Sequence, residues 1–261
     1  MRLHVHEWGD PSGTPLVCLH GISGHAGHFR RLATERWSRF RVVAPDLRGH
    51  GSSEQEPPWD LETHVADVLQ TVEAAGVPDG ATWVGLSFGG RLVLELAARD
   101  ELELRRVVLL DPAIQILPHV GFDMAEQVRT EDGFASIEEA VELRLISIPT
   151  SPRDFVDEDR REQLVEGPDG RFHWRYCPSA VVTGYSELCT PPPPAETLRV
   201  PTLIVYAPEF GLVHDEQLDA YRAALGELLQ VVSVPGGHMV VWDAYEQTAD
   251  AIDAFLAQRT A

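Results

Sequence analysis

The sequence predicts an α/β fold: a mostly parallel central sheet flanked by helices, with a mainly helical insertion in its second half. Three observations predict it. Short apolar runs of the buried-strand type alternate with runs whose apolar residues recur at helical spacing, as at Leu61, Val65, Val68, Leu69 and Val72. Glycine- or proline-bearing turn clusters follow the strand-like runs. The rhythm breaks between Ala113 and Val200 and resumes at Pro201.

Taken in order, Leu3 to Trp8 alternates apolar and polar side chains and reads as an antiparallel edge strand. Gly9 to Gly13 is a turn cluster, and Pro15 to Leu19 is a buried strand ending at His20-Gly21-Ile22-Ser23-Gly24. His28 to Trp37 reads as a helix, Arg41 to Pro45 as the next strand, and Leu61 to Ala75 as an amphipathic helix ending near Gly76. Ala81 to Gly85 and Leu104 to Leu110 are further strands, the second stopped by Asp111-Pro112. Within the interruption, Phe122 to Val128 and Ile137 to Ile148 read as helices, and Pro191 to Pro194 as a stiff extended link. Pro201 to Tyr206 and Gln230 to Val234 resume the strands. Gln217 to Leu225 and Tyr245 to Gln258 are the helices that go with them. Residues 1–112 and 201–261 therefore form the expected core, and 113–200 an inserted lid.

Composition narrows the function classes. A chain of 261 residues can bury a large core without disulfides. Cys18, Cys177 and Cys189 are widely scattered, which gives neither a disulfide framework nor a metal-ligand spacing. The stretch Met1 to Glu7 has no apolar signal core, so a reduced, cytoplasmic compartment is expected. The formal net charge is −20, and all 21 basic residues are arginines. So acidic a surface repels phosphate backbones and anionic lipid, which argues against nucleic acid and membrane as partners. Without lysine there is no Schiff-base or phosphate-loop lysine, which excludes pyridoxal-phosphate enzymes and Walker-type nucleotide hydrolases. No cofactor or metal is implied.

One stretch carries the chemistry. Gly85-Leu86-Ser87-Phe88-Gly89 follows a β-favouring run and precedes the amphipathic run Arg91 to Ala98, which is the strand-turn-helix setting of a G-x-S-x-G nucleophile elbow. Such a turn strains the serine backbone, and side chains two positions to either side would clash with neighbouring backbone. The serine is held out at the sheet edge beside a helix N-terminus that favours negative charge. His238 is held by Gly236 and Gly237 at the end of another strand, with Met239 and Trp242 close by, which puts it on the same rim as Ser87. The other histidines read as surface or packing residues, except that His119 is placed to line a substrate pocket. His25 and His28 have metal-like spacing, with no matching carboxylate or cysteine cluster nearby in the sequence.

With these pieces in place, the chain resembles an α/β-hydrolase fold enzyme of the serine esterase and lipase kind. The resemblance covers almost the whole length outside the lid. It rests on His20-Gly21, Asp46-x-Arg48-Gly49-His50-Gly51-x-Ser53, Gly85-x-Ser87-x-Gly89 and Gly237-His238, in family order. It implies that Ser87 is the nucleophile and His238 its base. The oxyanion donors are implied to be the backbone amides of Ile22 and Phe88. Gly21, His119, Trp174 and Met239 are the expected substrate-binding residues, and the Asp46 to Ser53 motif is expected to be a structural turn.

The chain departs from the family at the acid. The resemblance places it after the strand Pro201 to Tyr206, where Ala207-Pro208-Glu209-Phe210 stands instead, and Phe210 cannot accept a hydrogen bond from imidazole. Three readings remain. Asp111, at the preceding strand end, takes the role; Glu209, one residue out of register, takes it; or a Ser87–His238 dyad works without an acid. The expected activity is hydrolysis of a small hydrophobic ester or lactone through an acyl-enzyme. The lid aromatics Phe122, Phe134, Phe155, Phe172, Trp174 and Tyr176 point to the apolar moiety. A carbon–carbon bond hydrolase using the same residues and a catalytically silent ligand-binding protein are the alternatives.

Overall fold

The computed structural model describes residues 1–99 and 101–258. The first half contains β1 (Val5–Gly9), β2 (Pro15–Leu19), β3 (Arg41–Pro45), α1 (Leu61–Ala74), β4 (Ala81–Leu86), α2 (Phe88–Ala97) and β5 (Leu104–Leu110). An insert follows, with α3 (Pro118–Arg129), α4 (Ile137–Ser147), α5 (Arg153–Gln163), the hairpin β6 (Leu164–Glu166) and β7 (Phe172–Trp174), and α6 (Pro178–Leu188). The chain then returns through β8 (Thr202–Tyr206), α7 (Asp215–Leu225), β9 (Leu229–Ser233), α8 (Val240–Asp243) and α9 (Tyr245–Ala257). The main sheet has the order β1-β3-β2-β4-β5-β8-β9, with β1 antiparallel at its edge and every other pairing parallel.

Side chains along the central strands alternate between two cores, as the two-residue period of a strand requires. Val17, Leu19, Trp83, Val107, Leu109 and Ile204 pack with Val65 and Val68 of α1, Leu92 of α2 and Leu218 of α7. Leu16, Cys18, Val84, Leu86, Val108 and Val205 pack the opposite way, against Phe29, Leu32 and Trp37 and against Ile252 and Phe255 of α9. Helix α1 starts where the Asp60 carboxylate accepts the Thr63 N–H at 2.8 Å, and it ends before Gly76 at φ 64°.

The expected helix from His28 to Trp37 is replaced by a 3-10 turn, Ala26–Phe29, and a π turn, Leu32–Arg36. The Trp37 N–H reaches the Leu32 carbonyl at 2.9 Å, five residues back. That wider turn stacks Trp37 on the same buried face as Leu32, where a regular α-helix would rotate it away. Helices α5 and α6 and the β6–β7 hairpin are further differences from the expected polar, proline-bearing stretch. Helix α5 has only two apolar residues, Phe155 and Val156, and its buried positions are Val156, Asp159 and Gln163, so no apolar stripe stands out in a strongly charged segment.

One buried side chain anchors both ends of the insert. Arg91, in the first turn of α2, is 1 % exposed. Its Nη1 donates to the Ile114 carbonyl at 2.9 Å and to the Thr190 carbonyl at 3.1 Å. Nη2 donates to Thr190 Oγ1 at 3.1 Å and to the Pro191 carbonyl at 2.9 Å, while Nε pairs with Glu95 at 2.8 Å. Replacing it leaves a half-buried carboxylate and several carbonyls without a donor. We expect Arg91→Met to lower stability by about 3–5 kcal/mol in urea denaturation. A loss below about 1 kcal/mol, the range of surface ion pairs, would show that the clamp is not structural.

Candidate active site

Ser87 sits just past the end of β4 in a conformation that L-residues avoid, φ 54° and ψ −115°. Its N–H donates to the Leu110 carbonyl at 3.0 Å, tying the turn to the end of β5. The flanking glycines are obligatory. A Cβ on Gly85 would lie 2.5 Å from the Gly89 carbonyl oxygen, and one on Gly89 would lie 2.0 Å from the Leu19 carbonyl oxygen. Phe88 opens α2, so its N–H has no acceptor within the helix and is free for a ligand beside Ser87.

His238 follows β9 on a turn where Gly236 has φ 97° and a Cβ on Gly237 would lie 2.6 Å from Asp243 Oδ2. Its Nδ1–H donates to Asp111 Oδ2 at 2.6 Å, since a carboxylate can only accept. Asp111 is wholly buried, with φ 38°. Its N–H donates to the Val205 carbonyl at 2.7 Å, and its Oδ1 accepts the Ala207 N–H at 3.1 Å. Of the two candidate carboxylates, Asp111 therefore meets the imidazole, whereas Glu209 lies exposed. Phe210 stacks on the His238 ring, with centroids 4.9 Å apart and planes 17° apart.

His20 braces the loop opposite. Its Nδ1–H donates to the Gly21 carbonyl at 2.7 Å and its Nε2 accepts the Leu47 N–H at 2.8 Å, a pairing that fixes a neutral tautomer. Gly24 N–H also reaches the Gly21 carbonyl, at 3.0 Å. In a trans peptide the N–H points opposite to the C=O, so holding the Gly21 oxygen sets the direction of the Ile22 N–H. A Cβ on Gly21 would come within 3.0 Å of Ser87 Cβ. The Asp46 turn is structural, as expected: Oδ1 accepts from Ala26 N–H and Oδ2 from Ser52 N–H, both at 2.9 Å.

A cavity of about 680 Å³ opens over Ser87 and His238. Gly21, Ile22, Trp174 and Met239 line it, together with Phe134, Tyr176 and Phe210. His119 does not: it is exposed on α3, and Val120 and Met124 face the cavity from that helix instead. Sequence reasoning also missed Arg144, Arg160, Gln163 and His28 on the cavity wall. The reading of His25 and His28 needs correction, because Asp159 of α5 is their carboxylate. Asp159 Oδ1 accepts from both Nε2 atoms at 3.0 Å, an arrangement whose ligand atoms converge as for a cation. A partner 131 positions away in the sequence leaves no local signal.

Several buried histidines are held neutral. Burial pushes His20 well below its usual range, aided by the neighbouring His50, and lowers His28. It takes His50 down to about 4 and His64 to about 3.

Residues 16–251 match the family described as "Alpha/beta hydrolase family". The chain is 28% identical over 262 residues to Lipase LipV of Mycobacterium tuberculosis, covering 98% of each protein. It is 26% identical to a 3-hydroxybutyrate-oligomer hydrolase of Cupriavidus necator over 91% of this chain and 87% of that one. Among solved structures, E-2-(acetamidomethylene)succinate hydrolase superposes with a TM-score of 0.85 at 24% identity, covering 98% of this chain and 95% of the other.

The neutral histidines make stability pH-dependent with a definite sign. Their folded pKa values lie below the usual imidazole value of about 6.5, so the unfolded chain binds more protons in acid. Their contribution is complete above about pH 6.5 and is lost as pH falls towards 4, each adding up to about 1.4 kcal/mol per pH unit. We expect urea midpoints to drop steeply between pH 7 and pH 5. A flat profile would mean that these imidazoles are not held neutral.

Proposed function

The chain belongs to the alpha/beta hydrolase family, and on that premise we propose that it hydrolyses a carboxylic ester or lactone through an acyl-enzyme on Ser87. One observation carries the proposal: the 2.6 Å bond from His238 Nδ1 to buried Asp111, which leaves Nε2 for the cavity that Ser87 also lines. Ser87 Oγ attacks the carbonyl carbon as His238 Nε2 takes its proton. Asp111 keeps the imidazole in the Nδ1–H tautomer and stabilises the imidazolium. The oxyanion rests between the N–H groups of Ile22 and Phe88, at the positive end of α2. His238 then protonates the leaving alcohol oxygen. Water, deprotonated by the same nitrogen, attacks the acyl carbon and frees Ser87.

In this proposal residues 1–112 and 201–261 carry the chemistry, and 113–200 act as a lid that sets substrate choice. Phe134, Trp174 and Tyr176 support an apolar moiety in the substrate, because they face the cavity. Phe122 is exposed and Phe155 packs against Tyr245, so neither contributes. Phe210 occupies the place of the missing acid in a different capacity, as a flat platform against His238.

A fluorophosphonate should label Ser87 in the folded protein, and Ser87→Ala should abolish both labelling and turnover of short esters. Labelling elsewhere, or turnover by Ser87→Ala, sinks the assignment. We expect Asp111→Asn to reduce turnover by at least about 10²-fold and Glu209→Gln by less than about tenfold, because only an amide at the true acid favours the wrong tautomer. Thermal midpoints measured alongside separate misfolding from lost chemistry. The reverse order of effects would hand the role to Glu209.

Trp174→Ala should change the ranking of esters by acyl length more than it changes the labelling rate. An unchanged ranking would remove Trp174 from the binding wall.

A further inference from the structure

The cavity has two unlike walls. Where α3 packs on α6 the lining is mostly apolar, with Val120, Met124 and Leu188 beside Gln127. Where α4 packs on α5 it carries two arginines, Arg144 and Arg160. The Arg144 side chain is 20 % exposed, and its Nε and Nη2 are buried without a hydrogen-bond partner. Its ionic neighbour, Asp243 Oδ2, lies 3.6 Å from Nη2, beyond hydrogen-bond reach. Arg160 donates through Nη1 to Asp159 and lies 4.7 Å over the Trp174 ring, while its Nε is likewise buried and unpartnered.

Guanidinium groups left this way are unusual. A buried donor on a charged group that finds no acceptor bears its full desolvation cost, and such groups in native proteins commonly mark a ligand position. The acceptor that best suits a guanidinium fork is a planar pair of oxygens. No carboxylate already present is hydrogen-bonded to Arg144 Nε or Nη2. Asp159 is taken up by His25, His28 and Arg160. Asp243, its side chain wholly buried under the His238 turn, accepts from Ser151 Oγ at 2.5 Å through Oδ1, while its Oδ2 has no hydrogen-bond partner and makes the 3.6 Å ion pair with Arg144 Nη2. Glu131 also lines the wall, but it lies at the exposed end of the cavity.

We propose that the α4–α5 wall is a carboxylate subsite, so that the favoured substrate is an ester or lactone bearing a carboxylate, held by Arg144 and Arg160. This rests on the hydrolase reading of Ser87 and deepens it. The substrate then lies as an amphiphile, its acidic end on the arginine wall and its apolar portion against α3 and α6. Ser87 lies at the floor of the same space.

Paired ethyl esters test the subsite: monoethyl glutarate against ethyl valerate, monoethyl adipate against ethyl hexanoate, and monoethyl suberate against ethyl octanoate. For at least one pair the half-ester should have the higher kcat/KM by about tenfold or more, chiefly through KM. Arg144→Gln and Arg160→Gln should each reduce that ratio by about tenfold, and Arg144→Lys should restore only part of it, since an ammonium lacks the fork. A merely structural arginine would weaken both members of a pair alike. Neutral esters turned over as well as or better than every half-ester would overturn the subsite and leave the hydrolase reading standing. Calorimetry on the Ser87→Ala protein reads the subsite without turnover. Monoethyl adipate should bind and its binding should weaken in an added Arg144→Gln change, whereas binding that is absent or insensitive to that change overturns the proposal. Should Arg144→Gln fail to fold, the wild-type ratio and Arg144→Lys still decide it. Absence of Ser87 labelling and of all turnover, with monoethyl adipate still bound, would sink the hydrolase reading alone.

Discussion

The site depends on three parallel strands ending level. Leu86 of β4 pairs with Leu110 of β5, and Leu110 pairs with Val205 of β8. Just beyond that line, Ser87 donates its N–H to Leu110 and Asp111 donates its N–H to Val205, so each of the two is bonded to the end of the neighbouring strand. Both have positive φ, a strain of about 1–3 kcal/mol per residue that only well-determined surroundings sustain. A slip of one residue in either pairing would turn the alternating strand faces over and carry Ser87 or Asp111 out of reach of His238. The two hydrophobic cores, which lock the faces of these strands, thereby fix where Ser87 and Asp111 stand.

The charged groups follow a related logic. Asp111 is wholly buried but accepts two donors, and the buried Arg48 makes a two-point contact with Asp67 at 2.6 and 2.9 Å. In a chain whose basic residues are all arginines, planar forks take the places that lysine would leave under-bonded. Arg30 and Arg31 pair with Glu158, and Arg31 also with Asp154. They tie the segment after β2 to α5, next to the His25–His28–Asp159 contact. Against this background, Arg144 and, through its Nε, Arg160 stand apart.

The sheet and its turns are legible in the sequence because they rest on local signals. Apolar runs, glycine spacing and the order of four motifs are enough to locate Ser87, His238 and the Asp46 turn, and to name Asp111 as a candidate. What the sequence leaves open depends on contacts distant along the chain. Between Asp111 and Glu209 the difference is a hydrogen bond spanning 127 positions. Asp159 meets His25 and His28 across more than 130. The insert is harder to read for another reason. Its helices cover a cavity rather than a dense core, so polar residues such as Arg144 and Gln163 face inward and the amphipathic stripe that marks a helix is blurred. His119 and Val120 show how fine that distinction is, since adjacent residues on one helix lie on and off the cavity wall.

Arg91 has a consequence for how such a chain can diversify. It lies four residues beyond Ser87, in the helix that begins at that turn, and it grips the outgoing and incoming ends of the insert through Ile114, Thr190 and Pro191. Three of those four contacts are with backbone carbonyls, which any sequence supplies. The segment between the two grips is free to change in length and composition provided its ends return to the same guanidinium. A replacement roof would then inherit its registration to the reaction centre from the first turn of α2. Exchange of the segment between these two junctions would leave Arg91 and the turn at Ser87 in place.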